Sequence, residues 1–166
     1  MAYFYLDIET YSTGAFPDAA KDKIITIQYQ EMTGMGTPLG KLNILKEWEK
    51  SEEQILKEFV PLLKPWSFIP VGNNLNFERK FIKAKCLQYG VPFDIYDFTY
   101  NFPAIDIQPI FVMLNKGQFK GCGMHNFTSK KTSGIVIKDF YEAKQFDKIE
   151  NYIIEEAANK LFYFKL

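Results

Sequence analysis

The chain opens on an apolar run, Ala2-Tyr3-Phe4-Tyr5-Leu6, that closes on Asp7-Ile8-Glu9-Thr10 and reads as a β-strand. A second strand is predicted over Lys23 to Gln30, where Ile24, Ile25, Ile27 and Tyr29 mix with polar residues. The turn Thr33-Gly34-Met35-Gly36-Thr37-Pro38 leads to a third, Lys41 to Trp48, which completes an antiparallel meander. Ser51-Glu52-Glu53-Gln54 has the pattern of a capping box, and Ile55, Leu56, Phe59, Val60 and Leu63 follow at helical spacing until Pro65. Ser67 to Val71 predicts a buried strand and Gly72-Asn73-Asn74 the turn beyond it. A helix from about Asn76 to Tyr89 then ends at Gly90. Val91 to Pro103 is aromatic and irregular. Ala104 to Ile107 predicts a last short strand, followed by a helix near Ile110 to Leu114. Lysines and glycines fill Asn115 to Ala143, with one short helix expected around His125 to Lys130, and a closing helix runs from about Phe146 to Phe164. Three strands, helix, strand, helix, strand, then helices make a mixed α/β pattern.

Composition narrows the picture modestly. A chain of 166 residues fits one domain, 1–166, large enough for a real core. Twenty basic and twenty acidic residues cancel, so no global field attracts an anionic polymer. Nucleic-acid binding would need a local basic patch and metal ions. Cys86 and Cys122 form no CxxC pair and read as free thiols of a reducing cytoplasm. No apolar run reaches membrane-spanning length, so a soluble, cytoplasmic protein is expected.

Candidate chemistry changes the picture more. Residues two apart on a strand point to the same side, so Asp7 and Glu9 place two carboxylates together at a strand end. Such a pair resists ionising unless a cation sits between its members, and hard oxygen ligands suit Mg²⁺ or Mn²⁺. Glu78 falls in the first turn of its predicted helix, where the positive helix end favours an anion. On the last helix Tyr152 and Glu156 are four apart and share a face. Glu156 flanks the apolar stripe of Ile149, Ile153, Ala157 and Leu161, while Glu155 points further out. Taken singly, each helical acid reads as an ordinary solvated or dipole-stabilising residue.

Together these segments resemble the DEDD superfamily of 3′–5′ exonucleases, which includes proofreading domains of DNA polymerases and several RNases. Its first motif, Asp-x-Glu after the first strand, is matched by Asp7-Ile8-Glu9-Thr10. Its second, Asn-x-x-Phe-Asp, is matched by Asn74-Leu75-Asn76-Phe77 with Glu78 in place of Asp. Its third, Tyr-x-x-x-Asp, is matched by Tyr152 with Glu156 in place of Asp. The only histidine, His125, is followed at the relevant spacing by Lys130, so the tyrosine (DEDDy) subclass fits and the histidine subclass does not. Within it the chain is most similar to the exonuclease domains of family B polymerases.

The resemblance implies a ribonuclease H-like fold, a mixed β-sheet of about five strands flanked by α-helices. It implies metal-dependent removal of nucleoside monophosphates from the 3′ end of single-stranded nucleic acid, DNA slightly favoured over RNA, with a DNA polymerase or repair complex as the associated partner. Two divalent ions, Mg²⁺ or Mn²⁺, serve such chemistry. Asp7 is then expected to bridge them, Glu9 and Glu156 to join it on the water-activating ion, and Glu78 to serve the other through water. Tyr152 orients the attacking water, since a phenol is too weakly acidic for a simple base at neutral pH. Thr10, Asn74 and Phe77 fall where substrate is held, although Asn74 alternatively caps its helix. Arg79, Lys80, Lys83, Lys85, Lys120, Lys130 and Lys131 are candidate phosphate contacts, and Asp106 is not counted as a ligand. The two glutamates carry an added methylene, and a misplacement of about 1 Å can cost on the order of 10²-fold in rate. They motivate a second reading, a nucleic-acid-binding or assembly module on the same fold with weakened or no catalysis.

Overall fold

Strand β1 (Tyr3–Tyr11) is the axis of the sheet. β2 (Lys23–Met32) pairs with it antiparallel on one side, and β4 (Ile69–Gly72) pairs parallel on the other. β3 (Asn43–Lys46) extends the sheet beyond β2, and β5 (Ile105–Asp106) beyond β4, giving the order β3-β2-β1-β4-β5. The computed structural model describes residues 1–14, 16–93, 103–122, 126, 134 and 136–163. The mixed five-stranded sheet expected from the sequence is the one that forms, meander included.

β1 is buried on both faces, so its period of two feeds two cores. Leu6 and Ile8 enter a cluster with Ile27, Ile55, Phe59 and Phe81, covered by α1 (Glu52–Phe59) and α2 (Leu75–Tyr89). On the opposite face Tyr5 meets Ala157, and Ile25 meets Ile137, Ile149 and Ile153, so α4 (Val136–Glu142) and α5 (Phe146–Tyr163) lie there. α3 (Gln108–Leu114) follows β5 directly.

The local signals explain most of these elements. Ser51 accepts from the Gln54 N–H while the Gln54 side chain accepts from the Ser51 N–H, which is the expected capping box. α1 stops at Phe59, short of Leu63, and the chain tightens into a single 3₁₀ turn holding Pro61, which has no N–H to donate to a continuing helix. Glu52, buried beneath that cap, accepts from the Ile24 N–H at 2.6 Å and the Tyr89 hydroxyl at 2.7 Å, tying β2 to both helices. Gly90 ends α2 at φ 62°, a left-handed position that glycine adopts freely. Gly72 has no room for a side chain, because a Cβ would lie 2.6 Å from Leu75 Cδ2 and 2.8 Å from the Leu6 carbonyl oxygen.

The short helix expected at His125 to Lys130 lies outside the described residues apart from Asn126, as does most of the irregular stretch before Pro103. One expectation differs: α4 falls in the stretch Asn115 to Ala143, where the sequence predicts only the helix around His125 to Lys130. Tertiary packing makes it helical. Ile137 is buried, the Tyr141 hydroxyl donates to Glu47 at 2.5 Å, and the Tyr141 ring centroid lies 6.5 Å from that of Trp48. Cys86 and Cys122 are buried free thiols. Among the described residues no helix is long and apolar enough to cross a membrane.

Candidate metal centre

Alternation along β1 turns Asp7 and Glu9 toward α5, with Asp7 buried and Glu9 half-buried. α5 docks through Ile149, Ile153 and Ala157, all 3% exposed or less, and this rotation carries Glu156 inward beside them while Glu155 stays exposed. One carboxylate oxygen each from Asp7, Glu9 and Glu156 then lies within 4.8 Å of the other two. The β1–β2 register slips just past Glu9, where Thr26 faces Glu9 but Ile24 faces Thr10. The extra residue, Ile25, drops into the α5 contact, so the bulge that bends the strand beside the acids also seats the helix carrying the third.

Three carboxylates so close repel one another, and a divalent cation among them removes the conflict. The donor set is all oxygen, which fits a hard ion of the Mg²⁺ or Mn²⁺ type. The site fits a metal.

Tyr5 is a neighbour of the acids that sequence reasoning missed. It is fully buried, and its hydroxyl donates to Asp7 Oδ2 at 3.2 Å. Burial, followed by the charges of Asp7, Glu156 and Glu9, holds this hydroxyl protonated well above the ordinary phenol range. The signal was present in the spacing, since Tyr5 and Asp7 are two apart on one strand.

The remaining candidates fall in several places. Tyr152 is 7% exposed, and a Cβ on Gly134 would sit 3.6 Å from its hydroxyl oxygen, so the Gly134 backbone passes close by. Glu78 is buried in the first turn of α2 and does not join the group of three. Its neighbour Arg79 is half-buried, and desolvation pulls the guanidinium below its usual range against the opposing charges of Asp106 and Glu78. Thr10 is half-buried just beyond the register slip. Phe77 is half-buried with its ring 4.7 Å from that of Phe81, and it lines a 210 Å³ cleft with Asn74, Asn76 and Lys80.

Two expectations are corrected here. Asn74 does not cap α2 with its side chain; it takes a left-handed conformation, φ 62°. The cap comes from β5 instead. Asp106 accepts from the backbone N–H groups of Asn74 at 2.8 Å, Leu75 at 2.9 Å and Gln108 at 3.0 Å. A carboxylate across 32 residues thus neutralises the helix start, which is why Asp106 stays out of the acid group. Lys85, a candidate phosphate contact, is 2% exposed and donates to Gln88, so it faces inward. Lys80 and Lys120 are exposed and Lys83 half-buried, while His125, Lys130 and Lys131 lie outside the described residues.

No family model matches the chain. Over 96 residues, 54% of its length, it is 25% identical to a DNA polymerase of Methanocaldococcus jannaschii, of which the match spans 6%. Among solved structures, one of exonuclease I superposes with a TM-score of 0.56 over 72% of this chain and 31% of that one, at 11% identity. The zinc-bound complex of E. coli exonuclease I with single-stranded DNA gives 0.56 over 69% and 29%, at 12% identity. The fold is that of exonuclease I. This makes the sheet and its flanking helices ribonuclease H-like, as expected, with this chain spanning about a third of the exonuclease I chains it matches. At such identity the likeness speaks for the exonuclease fold, and the chemistry has to be argued from the residues.

Proposed function

We propose that this chain is a metal-dependent 3′–5′ exonuclease of the DEDD superfamily, tyrosine subclass. It removes nucleoside monophosphates from the 3′ end of single-stranded nucleic acid, with DNA favoured. One observation carries the reading: in the fold of exonuclease I, three carboxylates from two motifs far apart in sequence gather within 4.8 Å where β1 meets α5. Glu156 reaches that group despite its added methylene, so the glutamate does not keep the third motif from the first.

Divalent ions held here would supply an activated water and stabilise the leaving oxygen. Asp7, Glu9 and Glu156 would hold the ion that activates the water, and Asp7 with Glu78, which lies apart from the trio and buried at the start of α2, would hold the other. Tyr152 orients the nucleophile by a hydrogen bond. Asn74, Phe77 and Thr10 hold the terminal nucleotide, and Lys80 in the adjoining cleft meets the phosphate backbone. Single-stranded DNA is the preferred substrate because the similar exonuclease I structures include a complex with it and the matched relative is a DNA polymerase. A polymerase or repair assembly is the corresponding partner.

The test is degradation of a 5′-labelled single-stranded DNA and its RNA counterpart with Mg²⁺, Mn²⁺ or EDTA, beside Asp7→Ala. A metal-dependent ladder shortening from the 3′ end, lost in the variant, is the expected result. A folded protein that leaves both substrates intact with either metal contradicts the reading.

A further inference from the structure

The α5 face of the sheet buries more polar groups than the acids alone require. On β2, Thr26, Gln28 and Gln30 all point to this side, and none is more than 9% exposed. Two of the three are satisfied. The Thr26 hydroxyl donates to Gln28 Oε1 at 3.0 Å, and Gln30 Nε2 donates to the Gly40 carbonyl at 2.9 Å. Gln28 Nε2 is different: it is fully buried and has no hydrogen-bond partner among the described residues.

Register places this donor. Gln28 stands directly opposite Asp7 in the β1–β2 ladder, and Thr26 stands opposite Glu9. Side chains of directly opposed residues share a face with Cβ atoms about 4.5–5.5 Å apart. Thr26 anchors the carbonyl end of the amide, so the NH₂ is the end left for the acidic neighbours. Tyr5 flanks Asp7 from the same strand and already donates to Oδ2. A buried donor without an acceptor is costly, and native proteins retain one where something else requires it.

We infer that Tyr5 and Gln28 are positioning residues of the acidic cluster, Tyr5 fixing the Asp7 carboxylate and Gln28 donating to a cluster carboxylate when a cation draws those oxygens together. This rests on the metal reading above. Carboxylates that ligate a metal are themselves held by outer hydrogen bonds, which set their orientation. Tyr5 supplies one such bond, to Asp7 Oδ2. The buried Gln28 amide, which has no acceptor among the described residues, supplies a second in the loaded site.

The test compares wild type, Tyr5→Phe and the double variant Thr26→Val with Gln28→Met, all as full chains. Mn²⁺ binding is followed by calorimetry and metal-free unfolding by heat. The expected result is a loss of about 10–100-fold in Mn²⁺ affinity in each variant. The metal-free double variant should melt no lower than wild type, because both members of a buried polar pair have been replaced by apolar groups of similar shape. Wild-type Mn²⁺ affinity in both variants overturns the inference alone. A metal-free melt that falls while affinity holds assigns the pair to stability and overturns it as well. Failure of the wild-type protein to bind Mn²⁺ overturns it together with the metal reading.

Discussion

Toward α1 and α2 the central strands present Leu6, Ile8, Ile24 and Ile27, none more than 4% exposed, against Phe59 and Phe81. Toward α5 the same strands present Tyr5, Asp7, Thr26 and Gln28, none more than 6% exposed. Depth of burial is equal and the chemistry is opposite. The first face gains roughly 25 cal/mol for each Å² of apolar surface removed from water. The second gains this where Ile25 meets Ile137, Ile149 and Ile153, and its buried polar groups cost free energy unless they are paired. One strand, alternating with period two, therefore serves a stabilising core and a site kept at some expense to stability.

Substitutions sharpen that contrast. Phe59→Ala on the apolar face should have the largest effect on folding, about 3–5 kcal/mol. Urea unfolding measures it, and cleavage per folded molecule should persist, because Asp7, Glu9 and Glu156 gather on the opposite face of the sheet. Asp106→Ala probes the seam between the two regions. It strips the acceptor from three backbone N–H groups, at about 1–3 kcal/mol for the stranded donors. Cleavage should fall as well, since Glu78 rides on the first turn that Asp106 holds.

The smallest effect is a pH dependence on the stabilising side. Tyr89 is pushed up to about 12 from 10.0, first by burial and then by its hydrogen bond to Glu52. A hydroxyl raised in the folded state loses its proton first in the unfolded chain. Its contribution is therefore complete below pH 10.0 and is lost as pH rises toward about 12. Tyr141, hydrogen-bonded to Glu47, is raised for the same reasons and adds to the trend. Unfolding monitored across alkaline pH should show stability declining above pH 10.0, and Tyr89→Phe should remove part of the decline.

Much of this was legible in the residues. The alternation of β1, the capping box at Ser51 and the helical angle that separates Glu156 from Glu155 are local patterns, and the structure realises each of them. The inward Lys85 was legible too, for it continues the buried stripe of Phe81 and Ile82 at helical spacing. What escaped depends on contacts distant in sequence. Nothing near Asn74 announces that its helix is capped from Asp106. Nothing in Val136–Glu142 shows that an aromatic contact around Trp48 will make it helical. Gln28 becomes notable only once the strand register sets it against Asp7.

The most direct test of a face built to hold a cation is the thermal midpoint of wild type and Asp7→Asn, each with and without Mn²⁺. The variant removes one repelling charge and one ligand together. The account predicts that metal-free Asp7→Asn melts at or above wild type, and that Mn²⁺ raises the midpoint of wild type while leaving the variant nearly unmoved. A variant that melts lower without metal, beside a wild-type protein that Mn²⁺ does not stabilise, would contradict it.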